Sequence, residues 1–222
     1  MAKFEIESSE GTRWVRAILE EESIRTRKGN LNRIDGKVAM TWPLPRFMDL
    51  WVSLISKESP WRPRFVGTGE VHLKPSLGGF EVLEATEDEH WIFRDGTYWA
   101  SEESIQLTLR REKMLTAFWA DEGLFWWQTA ARGNGKIVLA TPGPIEVVEL
   151  HDEHLVVSSD YVIARTDGIR FTIGRAAKSL IAHWLSGDGP SYHYRGTGKL
   201  LVCPVPYWRN RFEQQDASLQ TA

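Results

Sequence analysis

The chain has 222 residues, of which 42% are hydrophobic and 26% charged, so it is a globular protein long enough to bury a sizeable core. Its formal net charge of −3 provides no bulk attraction to nucleic acid or anionic lipid. A single cysteine, Cys203, excludes an internal disulfide and fits a reducing compartment, so we expect a cytoplasmic protein. The first residues lack the apolar stretch of a signal peptide, and no apolar run approaches the roughly 18 residues of a membrane span.

The N-terminal part of the sequence predicts strands followed by a short helix. Residues Val15–Leu19 resemble a later strand segment, Phe80–Glu84, and Arg27–Gly29 stands where Arg94–Gly96 follows that later strand. The apolar residues of Arg46–Lys57 fall on one helical face, which predicts a short amphipathic helix.

A G-x-G turn followed by a run of β-forming residues occurs three times. The copies are Gly67–Leu73, Gly133–Leu139 and Gly196–Val202. Similar segments at nearly equal spacing predict three copies of one structural unit. Glycine tolerates positive φ, so these turns indicate a bend or bulge leading into a strand rather than a ligand site.

Alternate residues of each strand share a face, so the three copies also predict matching faces. One face carries Val71, Ile137 and Leu200, and the opposite face carries His72, Val138, Leu201 and also Cys203.

The stretches between the G-x-G turns contain further matching elements. Alternating polar and apolar residues in Ser104–Leu109 and Gly168–Ile173 predict half-buried strands. Arg175–Leu185 repeats the helical pattern of the first copy, whereas Arg111–Ala120 is shorter and less regular.

The third copy ends soon after Cys203, and the strands at the N-terminus would supply what it lacks. Pairing the two chain ends in this way would also protect edge strands that otherwise invite aggregation. We therefore predict an all-β fold of three repeated units in a pseudo-threefold or β-sandwich arrangement, with a few short helices. Residues 1–208 form one domain whose last unit is completed by the N-terminal strands, and 209–222 form a polar tail.

The order and spacing of these motifs resemble the AIM24 family. The likeness is carried by the three G-x-G turns, by the strands Phe80–Val82 and Ile145–Val147 that follow two of them, and by the opening segment Leu19–Ile24. It covers residues 4–206 and implies an all-β fold similar to the tryptophan-operon RNA-binding attenuation protein (TRAP-like). Fungal members are mitochondrial. The family offers no catalytic residue to carry over, and its glycine-rich stretch is missing from residues 40–57.

Three motifs that suggest chemistry fail on their context. Gly133–Lys136 is not a phosphate-binding loop, because position 130 is Ala, position 137 is Ile and a strand follows. His151 and His154 are three residues apart, and on a strand they point to opposite faces, which argues against a shared metal ion. Cys203 has only His193 nearby as a base and reads as a small buried thiol. We assign no catalytic residue, cofactor or metal.

Eleven tryptophans are the most unusual feature of the composition. Adjacent Trp126 and Trp127 face opposite sides of a strand, so one of them is available to a partner. With Trp208 and the basic residues Arg25 and Arg27 they form the candidate interaction surface. The leading hypothesis is a non-enzymatic scaffold or interaction protein that binds a protein partner or its own copies. The alternative is an RNA-binding or small-ligand-binding protein that uses grooves between the repeats.

Overall fold

The computed structural model describes residues 1–42, 62–76, 78–111, 127–174 and 191–206. Within these ranges the chain is all-β, which confirms the predicted fold class. The strands are Lys3–Ser9 (β1), Thr12–Thr26 (β2), Leu31–Thr41 (β3), Arg64–Leu73 (β4), Gly79–Ala85 (β5), Trp91–Phe93 (β6), Tyr98–Glu102 (β7), Gln106–Arg111 (β8), Trp127–Arg132 (β9), Gly135–Thr141 (β10), Glu146–Ser158 (β11), Val162–Thr166 (β12), Ile169–Gly174 (β13) and Ser191–Val202 (β14).

Short helices are not seen in the part of the chain that the structure describes, apart from one 3₁₀ turn, Ser159–Tyr161. The predicted helices at Arg46–Lys57 and Arg175–Leu185 lie outside the described residues. So does the third segment, Arg111–Ala120, except for Arg111 itself, which is the last residue of β8. No helix among the described residues is both long and apolar enough to cross a membrane.

Two seven-stranded antiparallel sheets contain all of these strands. The first sheet has the order β3-β4-β2-β7-β10-β5, with β1 paired to β2. The second has the order β11-β14-β12-β6-β9-β8, with β13 paired to β14. The strands predicted from alternation, β8 and β13, pair with the strand segments that precede or contain a G-x-G turn, β9 and β14.

A short junction near the middle of each sheet joins two parts of the chain. In the first sheet the end of β2 pairs with β7, and in the second sheet β6 pairs with β12. Both junctions have three residue pairs: Ile24 with Glu102, Arg25 with Ser101 and Thr26 with Ala100 in the first sheet, and Trp91 with Thr166, Ile92 with Arg165 and Phe93 with Ala164 in the second.

The three G-x-G turns adopt one backbone conformation. Their six glycines have φ values between +124° at Gly133 and +157° at Gly135, a range that residues with a side chain rarely adopt. The first glycine of each turn also packs directly on a neighbouring strand or turn. A Cβ atom at these positions would meet a carbonyl oxygen: that of Lys37 for Gly67, of Ser104 for Gly133 and of Gly168 for Gly196. Backbone conformation and close packing therefore explain these glycines without a ligand.

Among the described residues three clusters of buried apolar side chains form the core, and β10 and β14 each contribute to two of them. Val71 of β4 belongs to the first cluster, Ile137 of β10 to the second and Leu200 of β14 to the third. On the opposite faces, Val138 packs into the first cluster and Leu201 into the second. At these positions β10 and β14 are thus buried on both faces, between two clusters.

The first and the last described strands lie in different sheets. The N-terminal strand β2 pairs with β1, β4 and β7, whereas β14 belongs to the second sheet. Among the described residues there is accordingly no pairing through which N-terminal strands complete the last unit. Val15, Ala17 and Leu19 bury one face of β2 in the first core cluster. Completion of the last unit by the N-terminal strands stays a prediction.

Candidate functional site

The two basic residues of the predicted interaction surface form contacts with other residues of the same chain. Arg25 of β2 forms an ion pair with Glu103. Arg27, just after β2, donates a hydrogen bond from its guanidinium group to the carbonyl oxygen of Gly96 (3.1 Å). Both side chains are half-buried. These charges connect the end of β2 to the residues around β7.

Two of the three predicted aromatic residues lie outside the described residues. Trp127 is the first residue of β9, while Trp126 and Trp208 lie outside the described residues. Of the described tryptophans, Trp91 is buried in the second core cluster, and Trp42, just after β3, is 49% exposed.

The histidines of β11 do not act as a pair. His154 stacks on His193 of β14, with its Nε2 atom 3.1 Å from the partner's Nδ1. The β-bulge between His151 and Glu153 separates His151 from this contact. Asp152, at the bulge, has a φ of +58°.

The outer face of the first sheet carries a cluster of charged residues and one histidine whose side chains contact one another. It occupies the side of β1, β2, β3 and β4 that faces away from the first core cluster. The strand register places its members in two rows. One row runs Arg33, His72, Arg16 and Glu5, and the next runs Asp35, Glu70, Ile18 and Lys3.

His72 lies at the centre of this cluster, with only 10% of its side chain exposed. Its Nε2 atom is 3.2 Å from Oδ2 of Asp35 and 3.4 Å from Oε2 of Glu70. A guanidinium nitrogen of Arg33 is also 3.2 Å from this Nε2 atom, and Nε of Arg33 donates to Asp35 Oδ2 (2.8 Å). One imidazole nitrogen therefore faces two carboxylates and one cation. It can donate to the carboxylates or accept from the arginine, but not both.

Arg16 connects the acidic residues of the other strands. Its guanidinium group forms ion pairs with Glu5 and with Glu7 of β1, the latter at 2.9 Å, and lies 3.7 Å from Glu70. Hydrogen bonds from Lys3 and from Arg16 hold the pKa of the Glu5 carboxyl below its ordinary value. The same bond to Glu5 raises the pKa of Arg16.

A hollow of about 340 Å³ opens beside His72. Trp14 forms part of its wall, and Arg33 and Glu7 lie at its polar side. This volume is at the lower end of the range for small-molecule sites, and an aromatic side chain next to a few polar groups is typical lining for such a site.

Sequence reasoning placed His72 on the correct face but did not identify this cluster. His72, Val138 and Leu201 occupy the same position after their G-x-G turns, and only His72 is polar. That departure from an apolar pattern was the available signal. It could not name the partners, because Asp35 is 37 residues from His72 and meets it only through the pairing of β3 with β4.

Comparison with known proteins supports the resemblance seen in the motifs. The sequence pattern of the family described as "Mitochondrial biogenesis AIM24" matches residues 4–205. The chain belongs to the AIM24 family. No curated protein matched the sequence significantly.

A solved structure similar to this AIM24 protein is the crystal structure of protein SPYM3_0169 from Streptococcus pyogenes. The two share 19% sequence identity and superpose with a TM-score of 0.70, over 100% of this chain and 99% of the other. At this identity the likeness concerns the fold alone.

Proposed function

We propose that this AIM24 protein consists of three repeated β units. Support comes from the register of the strands. In each unit, a strand pairs with the strand after the G-x-G turn through corresponding residues: Ile34 with Val71, Ser101 with Ile137 and Arg165 with Leu200. The pairing is interrupted by one register shift at the same place in all three. The backbone angles of the glycines are also repeated.

The repeated units also suggest how the protein binds a partner. In this division unit one contains β1–β4, unit two contains β5–β10 and unit three contains β11–β14. Unit one is joined to unit two by the pairing of β2 with β7, and unit two to unit three by the pairing of β6 with β12, in the same register. A third junction of the same kind would join unit three to unit one, and it would pair Leu155–Val157 of β11 with Arg33–Asp35 of β3. Within the described residues, each of these segments pairs on one side only, β11 with β14 and β3 with β4.

These two open strand edges carry the proposed function, that of a non-enzymatic interaction protein. A strand with one unpaired edge offers its backbone N–H and C=O groups to a strand of another chain. The partner whose edge has the matching register is a second copy of this protein. Joining β11 of one copy to β3 of the next would repeat the junction that already occurs twice within the chain. Such a head-to-tail contact builds a ring or a filament.

Exposed apolar side chains lie along both edges. Met40 of β3 is 41% exposed, and Trp42, just after β3, is 49% exposed. Val156 of β11 is 42% exposed. Aromatic and methionine side chains are common anchors at protein interfaces. We place this assembly in the cytoplasm, on the basis of the single buried Cys203.

A small-ligand site is the second candidate, supported by the hollow of about 340 Å³ beside Trp14 and His72. RNA binding receives no similar support, since Arg25 and Arg27 are both engaged in contacts within the protein.

The assembly proposal is tested by light scattering after size-exclusion chromatography over a range of protein concentrations. We expect the mass to rise with concentration for the wild type and to stay at that of one chain for Val156→Lys, since a lysine on an edge opposes strand pairing. Val147→Lys is the matched control: Val147 lies in the same strand and is 54% exposed, but it is outside the predicted junction. A wild type that stays monomeric at every concentration, or equal effects of the two lysines, would refute the proposal.

A further inference from the structure

Two carboxylates face each other beside His72 in the first sheet. Asp35 of β3 and Glu70 of β4 are directly opposite each other in register. Two like charges in this position destabilise a strand pair, so a positive charge has to lie between them. His72 is two residues from Glu70 on the same strand face, and its Nε2 atom faces both carboxylates.

His72 occupies a position that is apolar after the other two G-x-G turns. At the same position β10 has Val138 and β14 has Leu201, and each packs into the core cluster of the preceding unit. The outer face of β4 has no core cluster of another unit against it among the described residues. A nearly buried imidazole directed at two carboxylates stands there instead of an apolar side chain.

The three side chains have the chemistry and spacing of a metal site. One ligand atom from each of Asp35, Glu70 and His72 lies within 4.8 Å of the others. Tetrahedral ligands with bonds of about 2.0–2.1 Å are separated from each other by about 3.3–3.4 Å. The Nε2 atom of His72 lies 3.2 Å and 3.4 Å from the two carboxylate oxygens, so an ion can be accommodated with little movement of these ligands.

We infer that Asp35, Glu70 and His72 bind a divalent transition-metal ion of the zinc class. One imidazole nitrogen and two carboxylate oxygens suit zinc or manganese better than calcium, which prefers six or more oxygen ligands. Three protein ligands leave a coordination position open for a fourth ligand. One of the three, His72, also lines the hollow of about 340 Å³. The open coordination position is where a small acidic or hydroxylated ligand, or water, coordinates the ion.

Arg33 is the built-in competitor of the metal ion. Its guanidinium group bridges Asp35 and His72 and supplies the positive charge that the two carboxylates need. Its side chain is 63% exposed, so it can turn into solvent when an ion enters, with the loss of a surface ion pair. The site therefore exchanges an arginine side chain for a metal ion.

Isothermal titration of the full chain with Zn²⁺ tests the inference. The wild type is expected to bind one ion per chain. The His72→Val variant has the residue that β10 has at this position and should fold, yet its affinity should fall by more than roughly tenfold, which is the lower limit for losing even an outer-shell partner. Arg33→Gln removes the competing cation and should bind Zn²⁺ more tightly than the wild type.

His90→Ala is the matched control. His90 also pairs with one carboxylate, since its Nδ1 atom lies 3.1 Å from Asp167, but a second carboxylate is not in contact with it among the described residues. Its loss should leave zinc affinity unchanged. Failure of the wild type to bind Zn²⁺ at millimolar concentration, or equal affinity of the wild type and His72→Val, would overturn the inference. Because the proposed assembly would pair Leu155–Val157 of a second copy with Arg33–Asp35, the titration is also carried out on Val156→Lys, in which assembly is blocked. Zinc binding by that variant separates the metal site from the assembly proposal.

Discussion

Replacing Gly133 with alanine tests whether the G-x-G turns are structural. Gly133 has a φ of +124°, a conformation in which a side chain is strained by about 1–3 kcal/mol. A Cβ atom there would also lie 2.7 Å from the carbonyl oxygen of Ser104. That distance is too short for a carbon and an oxygen that are not bonded, so either the turn or the Ser104 peptide has to move.

The expected loss of stability combines these two effects. Displacing the Ser104 peptide disturbs the pairing of β8 with β9, where each backbone hydrogen bond contributes about 1 kcal/mol. Strain and one or two weakened bonds together predict a loss of about 3 kcal/mol in the free energy of unfolding. Gly29→Ala is the control, because Gly29 has a φ of +82° but nothing within 4 Å of an added Cβ atom. It should lose only about 1–2 kcal/mol.

Urea unfolding followed by tryptophan fluorescence measures both variants. Gly133→Ala should have a clearly lower midpoint than Gly29→Ala. The corresponding changes at Gly67 and Gly196, where the Cβ atom would overlap a carbonyl oxygen further, should be at least as severe. If Gly133→Ala were as stable as Gly29→Ala, the close approach to Ser104 would have no energetic consequence and the structural explanation of the turn would be refuted.

Two further predictions concern acid stability and the thiol. Glu5→Gln should lower the urea midpoint above pH 4.5, and the difference from wild type should vanish as the pH falls below that value, because the lowered pKa of Glu5 stabilises the fold only while the carboxyl is ionised; a difference that grows in acid would contradict this. Cys203 is fully buried, so a thiol reagent should modify it slowly in the native protein and at the rate of a free thiol in urea; equal rates in both conditions would show that the thiol is accessible.

The fold class and the strained glycines of the three G-x-G turns were accessible from the sequence because both depend on local patterns. Alternation along β8 and β13, and the glycines at 67, 133 and 196, reflect side-chain direction and backbone conformation within a few residues. The closure of the chain ends is not a local property and stays a prediction. It depends on which strand β2 pairs with, and several strands of similar composition compete for that position.

The candidate site was missed for a related physical reason. The predicted surface selected Arg25 and Arg27 from their charge, but charge alone does not show whether a guanidinium group already has a partner such as Glu103. His72 was the useful signal, since it interrupts an apolar pattern. Its meaning depended on Asp35, which no local pattern connects to it.

By itself, the sequence determined an all-β chain in which one turn and strand recur three times, because glycine conformation and two-residue alternation are properties of short segments. The tertiary structure decided what each copy faces. Val138 of β10 packs into the first core cluster and Leu201 of β14 into the second. At the same position of β4, His72 belongs to none of the core clusters among the described residues and faces two carboxylates instead. Burial of a strand face depends on which elements pack against it, and that is a property of the whole fold.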